Sequence, residues 1–163
     1  METGKQPAGQ LDVAAAMHLA ESFTEAWNKH DVQALIDLFQ PDGTLTSPVF
    51  ASPLSGEALR GYLDAQHKAY PDIKAEAVGE KVVGSNTIGG RYRVTGTWTN
   101  PMTAGPLAGM APTGKAFILQ SADFFEIKDG KISAWTQYYD RMTLLTQTGI
   151  VPQNSSRPVP PIS

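Results

Sequence analysis

The segment "KDGKISAWTQYYDRMTLLTQTGI", Lys128 to Ile150, decides how this chain is to be read. Asp129-Gly130 is a two-residue hairpin signal, because an Asp-Gly pair tolerates the positive φ angles of a tight type I′ turn. It makes residues 131–140 the return arm of a hairpin whose outgoing arm is 115–127. With those two residues as the loop, Lys128 faces Lys131, Ile127 faces Ile132 and Phe125 faces Ala134. Asp123 then faces Thr136, Ser121 faces Tyr138 and Leu119 faces Asp140. Side chains alternate along a strand, so Asp123, Phe125, Tyr138 and Asp140 are expected on one face. Phe124, Trp135, Gln137 and Tyr139 are expected on the other. Both faces are partly apolar, and the pattern alone does not say which is concave.

Residues 140–148 return to helical spacing, so Asp140 sits at the seam between strand and helix. A carboxylate on a half-buried sheet face is costly unless paired or protonated. Burial raises its pKa and makes it a usable proton carrier near neutral pH. Aspartate is equally a favoured helix N-cap, and the two roles are compatible. Asp123 is a second acid on the same expected face, with a neighbouring Arg or Thr as its structural partner in the alternative reading.

Working outward, the chain runs helices first and strands later. Asp12 is placed to cap a helix with an apolar stripe of Val13, Ala16, Met17, Ala20, Phe23 and Trp27. Asp31 is placed to cap a second helix, Ser55 a third that runs to about Ala69, and Pro71-Asp72 ends it. Between them "TLTSPVF", Thr44 to Phe50, reads as a short strand whose Pro48 argues for an edge or a bulge. Residues 73–83 and 87–99 are two further strands, so that the order gives an α+β domain over 11–150. Residues 1–10 read as a disordered leader and 151–163 as a Pro-rich extended tail.

Composition narrows the function. The chain has 163 residues, 13 Lys and Arg against 16 Asp and Glu, and no cysteine. Nothing here recruits a phosphate backbone, and disulfides, thiolate metal sites and cysteine nucleophiles are ruled out. No run approaches a membrane span and the N-terminus lacks a signal-peptide core, so a cytoplasmic protein without membrane or nucleic-acid partners is expected. His18, His30 and His67 show no metal-ligand spacing. "GMAPTGKA", Gly109 to Ala116, imitates a phosphate loop, but Ala116 stands where Ser or Thr is required and a strand follows instead of a helix. Arg91 and Arg93 fall on one face of the 87–99 strand, suited to Glu76, Glu80 or Glu126, and Tyr92, Val94, Gly96 and Trp98 fall on the other.

Four segments in order carry a family resemblance: "FTEAWNKHDVQALIDLFQPDGTLTSP", "SGEALRGYLDAQHKAYPDIKAE", "RYRVTGTW" followed by "GMAPTGKAF", and "FFEIKDGKISAWTQYYDRMTLLTQTG". Over about residues 19–150 the chain resembles the SnoaL-like polyketide cyclase family of the NTF2-like superfamily. The resemblance implies a cone-shaped α+β barrel, with N-terminal helices packed on a curved, mostly antiparallel sheet. It also implies one deep apolar pocket and assembly as a homo-oligomer, a dimer in the simplest case. In characterised relatives an aspartate near the end of the last strand assists an intramolecular aldol closure without metal or cofactor, and Asp140 maps onto it. Many relatives carry a histidine where this chain has Trp98.

The expected site therefore has Asp140 and Asp123 as acid–base residues. Tyr92, Trp98 and Tyr138 are hydrogen-bond donors assigned by face. Phe125, Trp27, Tyr62 and His67 are further candidates for the pocket wall, although an aromatic stripe is more often core. The expected ligand is a bulky apolar carbonyl compound undergoing cyclisation or isomerisation. A non-catalytic binding or dimerisation module and an epoxide-hydrolase-like water addition stay open as alternatives.

Overall fold

The structure is a computed structural model that describes residues 11–152. Helix α1 (Val13–Asn28) is capped by Asp12, whose carboxylate accepts the backbone N–H of Ala14 and Ala15. Helix α2 (Val32–Asp37) is capped by Asp31 in the same way, through Ala34 N–H. Between them His30 takes a φ of 58°, a left-handed turn that stops α1. Strand β1 (Phe39–Thr46) is followed by the two-residue strand β2 (Leu54–Ser55) and helix α3 (Gly56–Ala69). Ser55 stands at the N-cap position of α3 but makes no capping hydrogen bond, contrary to expectation, and its backbone pairs with Thr44 of β1. Strands β3 (Lys74–Val83), β4 (Thr87–Thr97), β5 (Ala116–Lys128) and β6 (Lys131–Tyr139) follow, and helix α4 (Arg141–Gln147) closes the chain.

The six strands form one sheet in the order β2-β1-β6-β5-β4-β3. Every pairing is antiparallel except β1 with β6, which is parallel. The first strand begins at Phe39 rather than Thr44. Pro41 and Asp42 fall in a register shift between Phe39 and Thr44, an irregularity within the strand. The expected leader and all but the first two residues of the expected tail lie outside the described residues.

The core lies between α1, α3 and the inner face of the sheet. Ala16, Ala20, Phe23, Ala26 and Trp27 form the buried stripe of α1. The Phe23 ring lies 4.8 Å from that of Trp135 and 4.9 Å from that of Phe125. Burying each such large side chain stabilises the fold by roughly 1.5–3 kcal/mol. Gly96 lets the core close over β4: a Cβ there would lie 2.8 Å from the Phe117 ring. On the outer face Arg93 pairs with Glu76 at 3.5 Å, the structural role expected for it.

One irregularity sets the functional face. The β5–β6 hairpin has its expected turn, with Asp129 at φ 50° and Gly130 at φ 75°, and Ile127 faces Ile132. The register then shifts: Glu126 faces Ala134, leaving Ser133 as an extra residue. Ser133 Oγ donates to Glu126 O at 3.2 Å, which ties the bulge down. Beyond it Phe125 faces Trp135, Asp123 faces Gln137 and Ser121 faces Tyr139. The two faces of β6 are thereby exchanged relative to a regular hairpin. Trp135, Gln137 and Tyr139 join Asp123 on the inside, and Thr136 and Tyr138 go outside.

Candidate active site

A cavity of about 70 Å³ lies between α1, α3, α4 and the sheet. By the usual requirement of 10–15 Å³ per water, that is room for roughly five waters or one small ring system. Phe23, Thr24 and Trp27 contribute from α1, and Tyr62 and Gln66 from α3. The sheet adds Tyr92 and Val94 from β4, Leu119, Ser121 and Asp123 from β5, and Trp135, Gln137 and Tyr139 from β6. These positions alternate along each strand, as the inner face of a pleated sheet requires.

Asp123 is the acid in this wall. It is 5 % exposed, and its Oδ2 accepts the indole N–H of Trp135 at 3.0 Å. Its Oδ1 has no hydrogen-bond partner. Burial pushes the carboxyl up to about 6, because the charged form loses its hydration. The nearby polar groups of Ser121, Trp135 and Gln137 temper that rise. Three other residues of the same wall carry buried polar atoms without partners: Tyr92 OH, Ser121 Oγ and Trp27 Nε1. Each such group costs about 1–3 kcal/mol unless a ligand or water satisfies it. Burial also raises the pKa of Tyr92, so its phenol stays protonated and able to donate.

Asp140 is not in the cavity. It is solvent-exposed at the N-cap of α4, where it accepts Thr143 N–H at 3.2 Å and Thr143 Oγ1 at 2.6 Å. Those bonds to Thr143 hold its carboxyl below the ordinary range, the opposite of a neutral-pH proton carrier. The expected placement of Asp140 on a pocket-facing strand fails because the bulge at Ser133 reverses the face and β6 ends at Tyr139.

Of the other expected residues, Tyr92, Trp27 and Tyr62 line the cavity. Tyr138 does not: it is 60 % exposed on the outer face, its ring edge against Phe124. Trp98 lies just past the end of β4, fully buried, and donates its indole N–H to Asn100 O at 3.0 Å, a core role outside the cavity wall. Phe125 is packed behind the wall against Phe23. His67 is also outside the wall, buried with its ring stacked 4.5 Å from His30 and edge-on to Trp27. Burial lowers its pKa to about 4 and keeps it neutral. Ser121, Gln137, Tyr139, Thr24 and Gln66 were missed by sequence reasoning. Ser121 shares the face of Asp123 by simple alternation, and Gln137 and Tyr139 follow once the bulge is known.

Among the described residues, no group of three or more His, Cys, Asp or Glu is arranged to hold a metal ion, and no helix is long and apolar enough to cross a membrane.

The architecture has known counterparts. TsrD from Streptomyces laurentii superposes with a TM-score of 0.72 at 23 % identity, over 87 % of this chain and 100 % of that one. AclR from Streptomyces galilaeus gives 0.73 at 22 % identity, over 86 % of this chain and 100 % of that one. A protein with a ketosteroid isomerase-like fold from Catenulispora acidiphila, crystallised with trimethylamine, gives 0.67 at 16 % identity, over 85 % of this chain and 96 % of that one. No curated protein is similar to the chain at a significant level. The family model that matches, over residues 17–148, is that of the SnoaL-like polyketide cyclases.

Proposed function

Since the chain belongs to the SnoaL-like polyketide cyclase family, with an NTF2-like fold, we propose that it is an acid–base enzyme acting on an enolisable carbonyl compound, with Asp123 as the proton carrier. The observation that supports this is the half-satisfied, buried carboxylate of Asp123 in an apolar wall. One oxygen is fixed by Trp135, which orients the group. The other is free to take a proton. A base that titrates near 6 is ionised at pH 7 yet close enough to neutrality to return the proton.

The steps follow from this arrangement. Asp123 removes a proton from the carbon next to the substrate carbonyl, and the electron pair moves onto the carbonyl oxygen as an enolate. Tyr92 OH, with Trp27 N–H as a second donor, stabilises that oxygen. In a cyclisation the enolate carbon attacks a second carbonyl of the same molecule, forming a C–C bond. The resulting alkoxide recovers the proton from Asp123. In an isomerisation the proton returns to a different carbon. No net oxidant or reductant is needed.

The cavity is too small for a bulky polycycle, so the deep site takes one ring or one carbonyl-bearing end of a longer molecule. No arginine is among its lining residues, which favours this reading over a water addition by a carboxylate–arginine pair.

Hydrogen–deuterium exchange at the α-carbon of β-tetralone tests the reading. Asp123→Asn lowers the exchange rate by roughly a hundred- to ten-thousand-fold, and Asp140→Asn leaves it unchanged. In the wild type the rate rises with pH through about 6, as the base ionises. Full activity in Asp123→Asn would refute the assignment and leave a binding pocket.

A further inference from the structure

A second, smaller cavity of about 30 Å³ lies against the first, and the two share Tyr62, Gln66, Tyr70, Tyr139 and Leu144 as a common wall. Its far side is Val49, Met102, Pro106, Leu107, Leu145 and Arg141. Arg141 is the one charged residue in this lining. None of the ion pairs among the described residues includes it. Its sequence neighbour Asp140 is committed to Thr143. Arg141 lines this cavity together with Tyr62 and Tyr139 of the shared wall. The deep cavity has the opposite polarity: its one charged residue is Asp123.

We propose that the outer cavity is a subsite for an anionic group, a carboxylate in the simplest case, carried by the same substrate whose carbonyl end enters the deep cavity, with Arg141 as its cation. The orientation rests on the assignment of Asp123. An anion in the deep cavity would meet a carboxylate in a low-dielectric wall. In the outer cavity it meets an unpaired guanidinium that binds carboxylates through two parallel N–H donors. The substrate class is thereby narrowed to acidic carbonyl compounds with an apolar body. Arg141 sets both their selection and their direction of entry.

Equilibrium binding of phenylbutanoate and of its neutral isostere phenylbutanamide, read at pH 8 by the fluorescence of wall residues Trp27 and Trp135, tests this. The wild type binds the acid about tenfold more tightly than the amide, as expected of a charge-assisted pair. Arg141→Gln loses that preference and keeps its affinity for the amide, which also shows that the cavity is intact. Arg141→Lys retains part of the preference. Equal affinities in the wild type, an acid preference that survives in Arg141→Gln, or failure of both probes to bind overturns the subsite. Asp123→Asn keeps the acid preference, so a failure of the proton-carrier assignment shows in exchange rates and a failure of the subsite shows in the acid-to-amide ratio.

Discussion

Replacing Asp123 by Asn is expected to stabilise the fold at pH 8 while destroying activity. The carboxyl ionises near 3.8 in the unfolded chain and near 6 when folded. Between those values the folded protein holds a proton that the unfolded chain has released. Stability associated with this group is therefore fully present below about 3.8 and is lost as pH rises through about 6. The displacement corresponds to about 3 kcal/mol at pH 8, an order-of-magnitude figure. Asn is nearly isosteric and can still accept from Trp135, but its amide N–H group faces the position of the unpartnered Oδ1 and recovers only part of the cost. A gain of about 2 kcal/mol is expected, or roughly 4–8 °C in melting temperature for a domain of this size. At pH 4 the gap nearly vanishes. His67 has the opposite trend: its pKa is lowered to about 4, so its contribution is full above 6.5 and fades as pH falls toward 4. Both proteins keep His67, so it cancels in the difference. Thermal melts of the two proteins at pH 4, 6 and 8 measure the effect. A melting-temperature gap independent of pH, or an Asn variant less stable than wild type at pH 8, would show that Asp123 is not a strained buried acid.

Asp140→Ala removes the α4 cap and is expected to lower the melting temperature by a few degrees, without changing α-proton exchange or the pH at which the rate rises. Trp135→Phe keeps the ring packing but deletes the donor to Asp123 Oδ2, so the pH midpoint of the exchange rate moves upward from about 6, as a pH–rate profile will show.

The helix caps at Asp12 and Asp31, the Asp129-Gly130 turn and the order of elements were all legible from local sequence, because each depends on the chemistry of a few adjacent residues. A pairing of Arg93 with a carboxylate on a neighbouring strand followed from alternation, and the fold selects Glu76 from the three candidates. The site was harder because it depends on a single extra residue. Nothing in "KISAW" marks Ser133 as a bulge, since its hydroxyl finds its acceptor, Glu126 O, only across the folded hairpin. A one-residue slip moves every later side chain to the other face. A regular hairpin groups Tyr138 and Asp140 with Asp123, whereas the bulge puts Gln137 and Tyr139 beside it. Trp98 looked like a pocket donor by parity, yet its indole N–H is consumed by Asn100 O immediately after the strand ends.

The parallel pairing of β1 with β6 has a consequence for how the chain is made. Residues 44–46 find their partners at 134–136, so most of the 163-residue polypeptide must exist before that seam can close. Until then the buried stripe of α1, with Phe23 and Trp27, has no Trp135 or Phe125 to rest on. Contacts so distant along the chain are slow to form, and the nascent N-terminal half is the portion most in need of protection from self-association during synthesis. A circular permutant opened in the exposed turn at Gly84-Ser85 and rejoined through the original ends would reverse which partner of the seam is translated first, so that β6 would wait for β1.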